Sequence, residues 1–202
     1  YTDSSSKYYA RWTENPALTG TATITGTAKF GQTLTASLES GNNTGTLSYQ
    51  WKRDGSDISG AMNSTYTLVK ADIGSTITVA ISSSVESGTI VSPATATVGK
   101  ADTPSAPTGL SGITGQPLST VTLPGGWTWV DGTTVMNTAG TQTFKANYTD
   151  AAGNYENATN VDVSVNVTAK STAALTGLTQ SGCTYGETLS APSYTKPAGT
   201  ID

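Results

Sequence analysis

The sequence predicts an all-β chain of tandem antiparallel β-sandwich modules, and three observations carry that prediction. Hydrophobic residues make up 35% of the 202 positions and charged residues only 12%, while threonine supplies about a fifth, well above ordinary usage. Threonine is β-branched and half polar, so it suits the wet face of a strand and is a poor helix-interior residue. Apolar and polar residues alternate with period two in several runs. A short glycine-leucine signature also returns at domain-sized intervals.

That signature sets the modules. KFGQTLTAS at 29–37, ITGQPLSTV at 113–121 and TYGETLSAP at 184–192 each read Gly, Gln or Glu, one variable residue, Leu, then Ser or Thr. Their glycines are Gly31, Gly115 and Gly186, spaced 115 − 31 = 84 and 186 − 115 = 71 residues apart. These periods exceed solenoid repeats and fit small autonomous sandwiches. TATVGKADTPSAPTGL at 95–110 and VNVTAKSTAALTGL at 165–178 repeat a strand, a Lys-containing linker and Thr-Gly-Leu. Pro104 and Pro107 stiffen the first linker. The expected organisation is a closing strand of a preceding repeat at 1–15, modules at 16–100 and 101–170, and a partial third module at 171–202.

Along the chain, Leu47, Tyr49 and Trp51 share one strand face, and Ile77, Val79 and Ile81 share another. In the second module Phe144, Ala146 and Tyr148 alternate with Lys145, Asn147 and Thr149, and Val161, Val163, Val165 and Val167 with Asp162, Ser164 and Asn166. This is the half-buried strand pattern of antiparallel sheets. Asp54-Gly55, Ser59-Gly60, Gly125-Gly126, Asp131-Gly132 and Gly153-Asn154 punctuate the runs as turns. Only KADIG at 70–74 suggests a helical turn.

The net charge is −4 with no histidine and a single cysteine, Cys183. Scattered cations argue against nucleic acid, which rewards clustered ones. Lack of histidine removes the commonest general base and transition-metal ligand, and one cysteine rules out an intrachain disulfide. No charged-then-apolar leader opens the sequence, and no run of about 18 apolar residues is present to span a bilayer. The abrupt YTDSSSKYYARWT and PAGTID read as cut ends.

Residues 18–98 resemble the bacterial immunoglobulin-like domains of large surface proteins, through GTAKFGQTLTAS, YQWKRDG with Ile58, and STYTLVKADIGSTITVAI. Trp51 sits where such sandwiches place a core tryptophan. Asp72-Ile73-Gly74 falls where antibody domains have their tyrosine corner, with apolar residues replacing the cysteine pair. Residues 108–168 resemble a second surface repeat through VTLPGGWTWVDG, GTQTFKANYTD and VDVSVNV, and 171–202 the start of a third through SGCTYGETLSAP. SKYYARWT is similar to the last strand of an internalin-type B-repeat. The resemblance implies tandem immunoglobulin-like antiparallel β-sandwich modules in an exported, extracellular protein of the cell surface, with no enzymatic activity. The partners it implies are other modules of the same chain.

Candidate chemistry is sparse. Trp127 and Trp129 are two apart and face one side of a strand; an exposed pair of indoles suits stacking on a sugar ring, whereas the plainer reading seats one or both in the core. Asp150, Asn154 and Glu156 gather oxygen ligands in one loop of the kind calcium favours, but the loop lacks EF-hand spacing and a solvated hairpin turn is the better reading. Lys29, Lys100 and Lys145 are conceivable donors for a Lys–Asn isopeptide bond, but none lies in an apolar run. Cys183 reads as a small buried residue. Serine and threonine nucleophiles lack a histidine base, so no catalytic residue and no cofactor is expected. The leading expectation is a non-catalytic stalk or spacer of a bacterial cell-surface protein; the alternative is a module that binds a glycan or a host protein.

Overall fold

The structure, a computed structural model, describes residues 14–171, and its strands fall into two compact units. The first comprises the described residues up to Ser105 together with Asn147–Thr159, and the second Ala106–Ala146 with the described residues from Asn160 onward. Nearly all of the predicted closing strand at 1–15 and of the partial module at 171–202 lies outside the described residues.

Seven strands build the first unit: β1 (Thr21–Thr25), β2 (Thr33–Glu39), β3 (Leu47–Arg53), β4 (Ser56–Asp57), β5 (Thr65–Thr67), β6 (Ile77–Ser83) and β7 (Thr89–Val91). They form two sheets, ordered β1-β2-β5 and β4-β3-β6-β7. The strand pairs within them are antiparallel. Asp54 and Gly55 join β3 to β4 with φ of 46° and 83°, the two positive angles that a tight two-residue hairpin requires. KADIG supplies the expected turn, as a 3-10 turn over Lys70–Asp72.

The predicted alternation selects the core. Ala22, Leu34 and Ala36 from one sheet meet Trp51, Ile77, Val79 and Ile81 from the other, with Leu68 and Val98 closing the cluster. Trp51 pairs with Val79 across β3 and β6. It is fully buried, donates its indole N–H to Asn63 O at 2.8 Å and lies 5.7 Å from the Tyr66 ring. Truncating so buried a tryptophan costs about 3–5 kcal/mol.

A buried carboxylate ties the two sheets. Asp72 is fully buried; its Oδ1 accepts from Arg53 Nε at 2.7 Å and Nη2 at 2.6 Å. Its Oδ2 accepts from the Tyr66 hydroxyl at 2.9 Å and the Val69 N–H at 2.7 Å. Arg53 ends β3 and Tyr66 lies in β5, so one side chain joins both sheets to the 3-10 turn.

The second unit contains β8 (Leu110–Ile113), β9 (Trp127–Trp129) and most of β10 (Gly140–Tyr148) and β11 (Ala158–Thr168), in the order β8-β11-β10-β9. Val163, Val165 and Val167 are buried and alternate with exposed Asp162, Ser164 and Asn166, as the sequence predicts. Among the described residues, however, this unit has one regular sheet, and its β8–β11 pair is parallel. The core formed by Leu118, Val121, Met136, Val165 and Val167 is closed by an irregular ribbon instead of a second sheet. In that ribbon Gly115 N–H donates to Met136 O, Met136 N–H to Gln116 O and Leu118 N–H to Thr134 O. The pairing stays a single antiparallel bridge between Pro117 and Val135, a non-hydrogen-bonded pair at which the missing proline N–H costs nothing. Gly112 on β8 leaves room for Met136, whose sulfur would collide with a Cβ there.

Removing the shared carboxylate is predicted to damage the first unit more than any exposed charge change. Asp72→Ala strands Arg53, Tyr66 and Val69, and the expected loss is about 3 kcal/mol, the low end for a broken buried pair because Arg53 is partly exposed. Denaturant unfolding followed by Trp51 fluorescence reads it; a loss below about 1 kcal/mol contradicts the role.

Candidate functional site

The tryptophan pair turns inward. In β9, Thr128 is exposed, Trp127 is 7% exposed and Trp129 is half-buried. Trp129 donates its indole N–H to Val121 O at 2.9 Å and meets Phe144 edge-on at 6.2 Å. Both indoles therefore pack on the protein, Trp127 buried and Trp129 half-buried. Two-residue spacing fixes only that they share a face; which face is set by Val121 and Phe144, distant in sequence.

The Asp150 loop is built to hold its own carboxylate. Asp150 Oδ2 accepts the N–H groups of Asn154 at 2.5 Å and Tyr155 at 2.8 Å, while Oδ1 accepts that of Ala152 at 2.9 Å. Asn157 Oδ1 accepts the Asp150 N–H at 2.9 Å. These donors hold the Asp150 carboxyl below the usual carboxylate range, with the Tyr155 N–H contributing most. Three N–H dipoles aimed at one carboxylate favour its ionised form and fix the shape of the loop. Asn154 Oδ1 is buried without a partner, and Glu156 is exposed. Asp150, Asn154 and Glu156 share a loop, yet among the described residues no group of three or more acidic, histidine or cysteine side chains is placed to hold a metal.

The candidate lysines face carboxylates in the open. Lys29 Nζ lies 2.5 Å from Asp102 Oδ1, and Lys145 Nζ 2.7 Å from Asp162 Oδ1, with every partner at least 40% exposed. Lys100 is half-buried and its charge favours the ionised form of Asp150. Cys183 lies outside the described residues.

Sequence reasoning passed over Glu86, which is buried at the end of the first unit. Its Oε1 accepts from Thr44 N–H at 2.9 Å and Thr44 Oγ1 at 2.7 Å, and its Oε2 from Ser83 Oγ at 2.5 Å. The Ser83 hydroxyl, then the Thr44 hydroxyl, depress its pKa to about 2. No local signal marks it, because Thr44 lies 42 residues earlier. Asp54, capped by Thr76, and Asp131, capped by Thr133 and Thr134, are lowered in the same way.

A recess of about 540 Å³ lies in the second unit, lined by Ser111, Gly112, Ile113, Gln116, Thr120 and Thr168. These side chains supply hydroxyls and an amide, and none titrates near neutral pH. Comparison of the chain with protein-family models, curated proteins and solved structures finds no match.

The carboxylate pattern fixes the acid response. A folded pKa below the ordinary value adds stability above that value and loses it as pH falls through the folded one. For Glu86 the window runs from its ordinary 4.5 down to about 2. The melting temperature should therefore fall steadily across that range, and Glu86→Gln should flatten the fall. Thermal melts between neutral pH and the acid limit check this; an unchanged slope in the variant contradicts it.

Proposed function

We propose that the chain is a non-catalytic stalk segment of a large bacterial cell-surface protein, exposed outside the cell and holding other modules of the same chain at a distance. The observation that carries this reading is the inward use of chemically able side chains. Asp72, Glu86 and Asp150 accept from their own fold, and Trp51 and Trp129 donate into it. Such groups set shape and stability and leave little reactive chemistry at the surface.

The first unit supports an immunoglobulin-like assignment. One sheet takes the first, second and fifth strands and the other the third, fourth, sixth and seventh, around a buried tryptophan on β3. That division matches the arrangement of immunoglobulin-type sandwiches. The exposed faces are rich in Thr, Ser and Asn, which keeps the open sheet edges wet without a high net charge. No helix among the described residues is long and apolar enough to cross a membrane.

Glycan and extracellular-matrix protein arrays probed with the intact chain test the reading. The expected result is no saturable binding above a folded, unrelated control. Saturable binding to one glycan class or one protein overturns the pure stalk and makes the chain a recognition module.

A further inference from the structure

Each unit sets its first and last segments side by side and parallel. In the first, Ala17 pairs with Ser87 and Lys29 with Gly99, both parallel and both at an offset of 70 residues (87 − 17 = 99 − 29). Leu18 N–H donates to Ser87 O at 2.7 Å and Ser87 N–H to Pro16 O at 2.9 Å. At the other end Phe30 N–H donates to Gly99 O and Gly99 N–H to Ala28 O, each at 2.9 Å. The Lys29–Asp102 ion pair lies just beyond.

The segment after Gly99 is held on its other side as well. Ala101 forms a parallel bridge with Tyr155, donating to Asn154 O and accepting from Glu156 N–H, both at 2.8 Å. Thr103 Oγ1 donates to Glu156 O at 2.7 Å, and Phe30 meets Tyr155 edge-on at 5.9 Å. In the second unit β8 and β11 run parallel from Val165↔Leu110 to Thr168↔Ile113. Thr114 N–H to Thr168 O, Thr168 Oγ1 to Gly112 O and Lys170 N–H to Thr114 Oγ1 extend that seam.

Tension along the chain draws a first segment toward its N-terminal side and a last segment toward its C-terminal side. For parallel neighbours these are opposite directions along one axis, so the strands must slide. The hydrogen bonds, which run across the strands, are then strained together. Antiparallel neighbours pulled apart at one end lose their bonds one at a time. Sliding β11 by one residue would also turn Val165 and Val167 out of the core, so no neighbouring register offers a low-cost stop.

We infer that the two units are shear clamps, making the chain a force-bearing element whose load is tension along its own backbone. The biological role rests on the stalk reading, while the clamp itself stands or falls by mechanics. The test is single-molecule pulling of the whole chain in two geometries at one loading rate. One attaches handles at the chain ends. The other uses cysteines at exposed Thr46 and Val85, in a Cys183→Ser background, and unzips β3 from β6 from their common end.

Forced unfolding reports the barrier along the pulled direction, so end-to-end pulling should need at least about twofold more force than unzipping. Equal or lower end-to-end force overturns the clamp. A force asymmetry together with a positive array keeps the clamp and removes the pure stalk. Equal forces together with a silent array remove the clamp and leave the stalk standing.

Discussion

The first unit depends on one buried negative charge that no solvent reaches. A lone carboxylate in a protein interior is costly unless paired and hydrogen-bonded, and Asp72 meets that requirement by drawing donors from three places. Arg53 comes from the end of β3, Tyr66 from β5, and Val69 N–H from the entry to the 3-10 turn. Satisfying the charge therefore fixes how the two sheets meet, and the apolar contacts of Trp51, Leu68 and Ile77 fill the space that results. Tyr66 serves both sides of this arrangement, its ring lying beside Trp51 and its hydroxyl on Asp72. Burial, with the hydrogen bond to Asp72, pushes its phenol above the ordinary range.

The same economy recurs with uncharged donors in contact. Glu86 is satisfied by hydroxyls and one N–H, and Asp150 by a nest of N–H groups. Each ties residues that are apart in sequence or shapes a turn that would otherwise wander. A chain with so few charged residues uses several of them as internal fasteners. Among the described residues Thr, Ser and Asn are prominent at the exposed positions.

Much of the fold was legible because burial acts locally on strands. The alternations around Ile77, Val79 and Ile81 and around Val163, Val165 and Val167 predict the buried faces found there. Asp54-Gly55 predicts a turn, and both residues adopt positive φ. Features made by distant partners were not legible. The 99–107 stretch reads as a proline-stiffened linker, yet Gly99 and Ala101 bridge to Lys29 and Tyr155. Parallel bridges carry no hairpin signal, so nothing nearby announces them. In the second unit the segments around Pro117 and Val135 meet through a single bridge, leaving an irregular ribbon beside Leu118 and Met136. For the site, spacing put Trp127 and Trp129 on one face, while Val121 and Phe144 decided that it faces inward.

Amide and indole hydrogen exchange on the intact chain tests the central claim, that Asp72 is the joint of the first unit. The Val69 N–H donates to Asp72 although Val69 itself is exposed, and the Trp51 indole N–H reports the core. If the joint opens only when the whole unit does, both should exchange at the slow rate of the β3 and β6 amides. Fast exchange at Val69 beside a protected Trp51 would show a joint that opens alone, and would contradict the account.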